Sequence, residues 1–240
     1  MTRRWRRLVG RDDSSGFTLI ELMVAMGLMS VVVTITTAGL IQSQKLFSSN
    51  ADRLDGVTQA KVAMEGMTKT IRTAVEPRLL GDPCETCLAF IEGDEDSMTF
   101  KAALSTMRPP VGNEVTRYGP AKVTYQLVGT EMQETYQLPE PHTPTAAYTY
   151  CTVGANGCDA RVRTLASDLV PGQVFTYYDS GTDALPLPLQ NSEERLAAVD
   201  SIDIVLTTRV STQVEPSTLV SRVSLVNAGS EPTPSASPGG

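Results

Sequence analysis

Residues 16–35 read GFTLIELMVAMGLMSVVVTI, and how this stretch is understood decides the fold. From Phe17 to Ile41 the only charged side chain is Glu21, near the start of the run. On insertion scales a carboxylate at the centre of a spanning helix costs about 2.5–3.5 kcal/mol, and less near the interface. The 25 residues 17–41 would make about 37 Å of helix, enough to cross a hydrocarbon core of about 30 Å. An ordinary secretory signal has an apolar core of about 7–15 residues and an A-x-A-like cut. This run is longer, and TITTAGL (34–40) is a poor cleavage site. A plain uncleaved anchor would leave Glu21 without a reason.

The flanks give a direction. Residues 1–16 hold five Arg (3, 4, 6, 7, 11) and two Asp (12, 13), a net +3. The whole chain carries −7, which leaves −10 for the rest. A basic head before an apolar run puts the head in the cytoplasm and the acidic body outside. That body has no strong nucleic-acid signal, because a sequence-independent grip on DNA needs Lys and Arg to displace counterions. TRRWRRL (2–8) hints at a twin-arginine signal, but VGRDDSSG separates it from the apolar run.

Taken together, a short basic leader ending in Gly16, then Phe17, then TLIE and an apolar helix resembles the prepilin signature. That signature belongs to type IV pilins and type II secretion pseudopilins. The match covers residues 10–35, with GFTLIELMVAM as its most specific part. The resemblance implies cleavage between Gly16 and Phe17 by a prepilin peptidase/methylase on the cytoplasmic side. It implies N-methylation of the new Phe17 amine, and assembly with other pilin or pseudopilin subunits through Glu21. The physics agrees. Cleavage creates an ammonium four residues before the carboxylate, and an unpaired charge of either sign is costly in apolar surroundings. Glu21 of one subunit facing the Phe17 amine of a neighbour would act as a register device, as a buried polar group does in a coiled coil. Many major pilins have a proline in the second half of this helix. Here the first proline is Pro77, and the departure points to a minor pilin or pseudopilin.

Beyond Ile41, Phe47, Leu54, Val57, Met64, Met67, Ile71 and Val75 recur at steps near three, four or seven. Asp52, Arg53, Lys61, Glu65, Lys69 and Arg72 occupy the other face. This predicts an amphipathic continuation over 42–76, ended by Pro77. From 97 onward the pattern turns to β-rich runs: 97–104, 121–129, 132–138, 146–153, 173–179, 199–210 and 218–226. In the sixth, Ile202, Ile204 and Leu206 share one face. The expected class is α+β: a long N-terminal helix, half membrane-spanning and half amphipathic, packed on an antiparallel sheet. The expected organisation is a leader (1–16), an assembly helix (17–41), its continuation (42–76), an extracytoplasmic β-rich domain (77–226) and a disordered tail (227–240). VFTYYDSGTDALPL (174–187) and AAVDSIDIVL (197–206) loosely resemble the C-terminal part of J-type pseudopilins.

The four cysteines stand as Cys84-x2-Cys87 and Cys151-x6-Cys158. Outside the cytoplasm disulfides are the default, and the second spacing is long for a zinc ribbon, so disulfides lead over a four-thiolate zinc site. The local pairs 84–87 and 151–158 are favoured among three connectivities, and a redox role for CETC ranks lower. The sole histidine, His142, sits in PEPHTPT, which reads as an exposed connector. EGDEDS (92–97) and YDSGTD (178–183) could attract calcium, yet neither has EF-hand spacing, and solvated acidic turns are preferred. No P-loop, GxGxxG, GxSxG or HExxH motif occurs. The expected protein is a structural subunit with no cofactor and no metal, not an enzyme. The other reading is an extracytoplasmic binding module on an uncleaved anchor.

Overall fold

The computed structural model describes residues 18–80, 84, 87–104, 119–141, 146–181, 183–209 and 215–225. The leader, Gly16, Phe17, His142 and the tail beyond 225 lie outside them. The chain divides into two compact units, 1–50 and 51–240, and one helix, α1 (Leu19–Ile71, 53 residues), contributes to both.

In the first unit every described apolar side chain from Leu19 to Ile41 is exposed. The helix is long and apolar enough to cross a membrane, with a mean hydropathy of 2.1 in its best window. Its hydroxyls find partners within the helix. Ser30 donates to the Gly27 carbonyl at 2.7 Å, Thr34 to Ser30 at 2.7 Å, Thr36 to Val32 at 2.9 Å and Thr37 to Val33 at 2.7 Å. Such local bonds would satisfy these hydroxyls in a setting without water.

In the second unit α1 buries Ala60, Ala63, Met64, Met67 and Ile71, and exposes Arg53, Lys61, Glu65 and Lys69, with Arg72 exposed just past its end. Phe47 and Leu54, expected on the buried stripe, are 72% and 67% exposed. At 100° per residue Leu54 falls about 140° round the helix from Met67, and two small residues, Ala60 and Ala63, fill the stripe instead. The helix also stops at Ile71 rather than at 76. Val75 N donates to the Lys101 carbonyl at 2.9 Å and Ala103 N to the Thr73 carbonyl at 2.8 Å. Those bonds to a neighbouring strand replace the next intrahelical turn.

Two antiparallel sheets complete this unit. The first has five strands in sequence order: β1 (Phe90–Gly93), β2 (Ser97–Ala102), β3 (Ala121–Val128), β4 (Glu131–Gln137) and β5 (Ala160–Ala166). The second has three: β6 (Phe175–Tyr178), β7 (Ser201–Thr208) and β8 (Ser217–Ser224). A short helix, α2 (Glu193–Ala197), precedes β7, with the Ser192 hydroxyl accepting from Arg195 N at 3.4 Å. Val128 pairs with Glu131, so Gly129 and Thr130 form a two-residue hairpin loop, and Gly129 takes the positive φ of 63° such a turn favours.

One core joins α1 to both sheets, including Met64, Met67 and Ile71 with Phe100, Val123 and Tyr125, and with Ile202, Ile204, Leu206 and Val223. Ile202, Ile204 and Leu206 are at most 1% exposed, while Asp203 and Val205 on the other face are half-buried. Phe90, Phe100 and Tyr125 form a run of rings with centroids 5.8 and 6.0 Å apart.

The single expected sheet is therefore two, and one expected strand is missing. Residues 146–153 are irregular. Tyr148 donates to the Leu80 carbonyl at 2.9 Å and Tyr150 to the Pro120 carbonyl at 2.7 Å, and Glu140 N donates to the Thr149 carbonyl at 2.8 Å, so this segment is held by its tyrosines and by one backbone bond rather than by a ladder. The strand that follows is β5, where Arg161 and Arg163 interrupt the apolar pattern.

Candidate assembly site on the N-terminal helix

The first turn of α1 is built by two residues of the TLIE stretch. Thr18 precedes the helix, and its hydroxyl accepts from the Glu21 backbone N–H at 3.3 Å, while Leu22 N reaches the Thr18 carbonyl at 3.2 Å. Thr18 is thus the N-cap and Glu21 the third helical residue, the S/T-x-x-E spacing of a capping box. A carboxylate in the first turn also faces the positive end of the helix dipole. The Glu21 side chain is exposed and makes no ion pair among the described residues. Directly after it come Leu22, Met23, Val24 and Met26, all at least 51% exposed. An apolar cylinder with one acidic group at its start can dock onto similar cylinders, and the carboxylate then requires a cation.

The other expected sites are separate from this one. Cys84 is bonded to Cys87, and Cys151 to Cys158. The second bond closes an exposed loop that Gln137 holds through the Cys151 carbonyl at 2.8 Å. Asp94, Glu95 and Asp96 form the turn between β1 and β2, and Asp179 accepts from Gly181 N and Asp183 N at 2.9 and 3.0 Å. Among the described residues no group of three or more His, Cys, Asp or Glu is placed to hold a metal ion.

Residues 11–37 match the prokaryotic N-terminal methylation motif. The chain carries that motif. It spans the leader end, the Gly16–Phe17 bond, Thr18, Glu21 and most of the apolar run. No curated protein matches the chain. Among solved structures the chain is similar to one chain of the GspK-GspI-GspJ complex from the enterotoxigenic Escherichia coli Type 2 Secretion System. The identity is 15%, the TM-score is 0.40, and the match covers 73% of this chain and 99% of that one.

Sequence reasoning missed a polar cluster inside the domain. Glu134, with a side chain 8% exposed, accepts from Arg163 Nε and Nη2 at 2.9 and 3.0 Å and from the Tyr125 hydroxyl at 3.2 Å. Burial pushes the Tyr125 hydroxyl well above its ordinary pKa, with a Thr70 hydrogen bond from α1 acting the other way. This cluster links the helix to β3, β4 and β5. Its members belong to strands whose pairing places Tyr125, Glu134 and Arg163 in one row, and only that register could have revealed it.

Proposed function

We propose that the protein is a pilin-like structural subunit, matured by removal of residues 1–16 and polymerised through its N-terminal helix. The observation that carries this reading is Glu21, alone in an exposed apolar helix five residues after Gly16, inside a methylation motif. A prepilin peptidase/methylase would cut after Gly16 and methylate Phe17. Neighbouring pilin or pseudopilin subunits would then bring the Phe17 ammonium to the Glu21 carboxylate. Before assembly, residues 17–41 would hold the subunit in the cytoplasmic membrane with the β-rich domain outside. The role is structural rather than catalytic, in a type IV pilus or a type II secretion pseudopilus. The absence of a proline before Pro77 favours a minor position in the fibre.

Substitution of the residue before the cut tests maturation. Gly16→Val should leave the precursor at full size on a gel in cells with an active peptidase. A Gly16→Val chain that shortens normally would overturn the cleavage assignment and favour an uncleaved anchor holding an outer binding module.

A further inference from the structure

Among the described residues the two sheets have four strand edges, three of them guarded. β1 has four residues, and its pairing with β2 shifts register after Phe90. β5 carries Arg161 and Arg163 and shifts register against β4. Leu185 N donates to the Tyr177 carbonyl at 2.8 Å and Ala184 bridges Tyr178, so a following segment covers the edge of β6. Short strands, bulges, charges and covering segments are the usual protection of a sheet edge. β8 is different. Its eight residues pair with β7 without a break, and it holds neither proline nor lysine. Its single charge, Arg222, is bound to Asp203 and lies 4.4 Å from the centre of the Tyr178 ring.

The ladder fixes which backbone groups of β8 are left over. Leu225 N donates to the carbonyl of Asp200, directly opposite in register, at 2.8 Å. From that pair the bonding alternates, as in any antiparallel ladder, so Ser217, Leu219, Ser221 and Val223 bond to β7. Thr218, Val220, Arg222 and Ser224 turn N–H and C=O outward, and all four residues are exposed. Among the described residues no backbone hydrogen bond crosses that edge. Beside it runs α1. Arg53 Nη2 donates to the Ser217 hydroxyl at 3.5 Å, and the Thr68 and Ser221 hydroxyls lie 3.4 Å apart. Ser221 and the helix line a groove of about 440 Å³ that sets Lys69 and Arg72 against one carboxylate, Glu65. Neither cation makes an ion pair among the described residues.

A strand edge with its hydrogen-bonding groups turned outward, beside a net positive groove, fits an extended acidic segment. We propose that the edge of β8 takes one strand from a different protein of the assembly, a strand in which acidic and apolar residues alternate. Main-chain bonds to Thr218, Val220, Arg222 and Ser224 supply the pairing. Alternate side chains of the added strand fall on the Ser221 side, where carboxylates meet Lys69 and Arg72. The others fall on the opposite face beside the exposed Val220, where a β-branched partner packs. The occupant is not β8 of a second copy. An antiparallel edge-to-edge pair keeps like faces together, so it would set two basic grooves on one side of the joined sheet, which like charge opposes.

This contact rests on the fibre-subunit reading for its setting, which puts other subunits beside the domain, but needs neither cleavage nor Glu21. The test uses the full chain in detergent micelles and a capped peptide of alternating glutamate and valine, matched in length to β8. Amide hydrogen exchange, read residue by residue, should slow about tenfold or more at Thr218, Val220, Arg222 and Ser224 when the peptide binds. It should stay unchanged at Ser217, Leu219, Ser221 and Val223, which are already bonded to β7. Lys69→Glu/Arg72→Glu should weaken the peptide about tenfold or more and make an otherwise identical lysine–valine peptide the better ligand. An unchanged thermal melt for that variant keeps misfolding apart from lost docking. Four results would each overturn the proposal: no binding, binding without protection of the outward amides, protection of those amides before any peptide is added, or equal affinity of the unmodified chain for both peptides. A normally matured N-terminus alongside any of these leaves the subunit assignment standing and removes only the contact.

Discussion

Replacing Glu21 by Ala should pull membrane insertion and assembly in opposite directions. The Thr18 hydroxyl bonds to the backbone N–H of residue 21, so the variant keeps that cap. It loses the attraction of a first-turn carboxylate for the helix dipole, about 0.3–1 kcal/mol. It also sheds the cost of carrying a charge into lipid, up to about 2.5–3.5 kcal/mol at the bilayer centre and less at this end of the run. Insertion of the single subunit is therefore unchanged or improved. Assembly behaves otherwise. Removing one partner from a buried ion pair costs about 3–5 kcal/mol, which at about 1.4 kcal/mol per tenfold lowers subunit association by about 100-fold or more. Quantitative immunoblotting of sheared fibres against washed membranes reads both quantities. The expected result is a wild-type membrane level with fibre content near background, and a partial recovery for Glu21→Asp, which keeps the charge one methylene short. Wild-type amounts of Glu21→Ala in fibres would refute the ion-pair reasoning, and loss of the variant from membranes would refute the claim that insertion tolerates it.

Three further outcomes follow from the domain. Met67 is fully buried on the stripe of α1, so Met67→Ala should cost about 2–5 kcal/mol, read as a lower urea midpoint at unchanged slope. Glu134→Leu should cost about 1–3 kcal/mol by taking from the buried Tyr125 O–H its acceptor, with the Thr70 hydrogen bond remaining. Tyr125→Phe in that background should then cost much less than in the wild type, and equal costs in the two backgrounds would sink the shared cluster. The third concerns pH. The hydrogen bond from Arg222 holds the Asp203 carboxyl below its ordinary value. A lowered folded-state pKa means the contribution is complete above the ordinary carboxylate range and is lost as pH falls through the folded value. Thermal melts from pH 6 down to pH 2 should show Asp203→Asn losing less stability on acidification than the unmodified chain, and parallel curves would contradict the pairing.

Much of the helix was legible because its signals are local. A run with one charge and the period of Met64, Met67 and Ile71 need no knowledge of distant residues. Phe47 and Leu54 misled for a physical reason: α1 has apolar side chains on faces that do not touch the domain core, so spacing alone could not say which stripe is buried. The strands with clean alternation, such as β3 and β7, could be read directly. β5 could not, since Arg161 and Arg163 leave it without an apolar run, and one of them is there to meet Glu134 across the ladder. Residues 146–153 look like a strand by composition, yet their tyrosines are spent on the Leu80 and Pro120 carbonyls. The arrangement of two sheets could not be read from local pattern, because the contacts that bring them together, such as Val174 N and Phe175 N on the Glu95 carbonyl, join residues about 80 positions apart.

The central claim concerns the chemical state of one terminus. Intact-mass and N-terminal peptide spectrometry of the protein taken from its own cell membranes measures it directly. The account predicts a chain lacking residues 1–16 and beginning with N-methyl-Phe17. A population that retains the arginine-rich leader, or begins at Phe17 without the methyl group, in cells whose prepilin peptidase/methylase is active would contradict it.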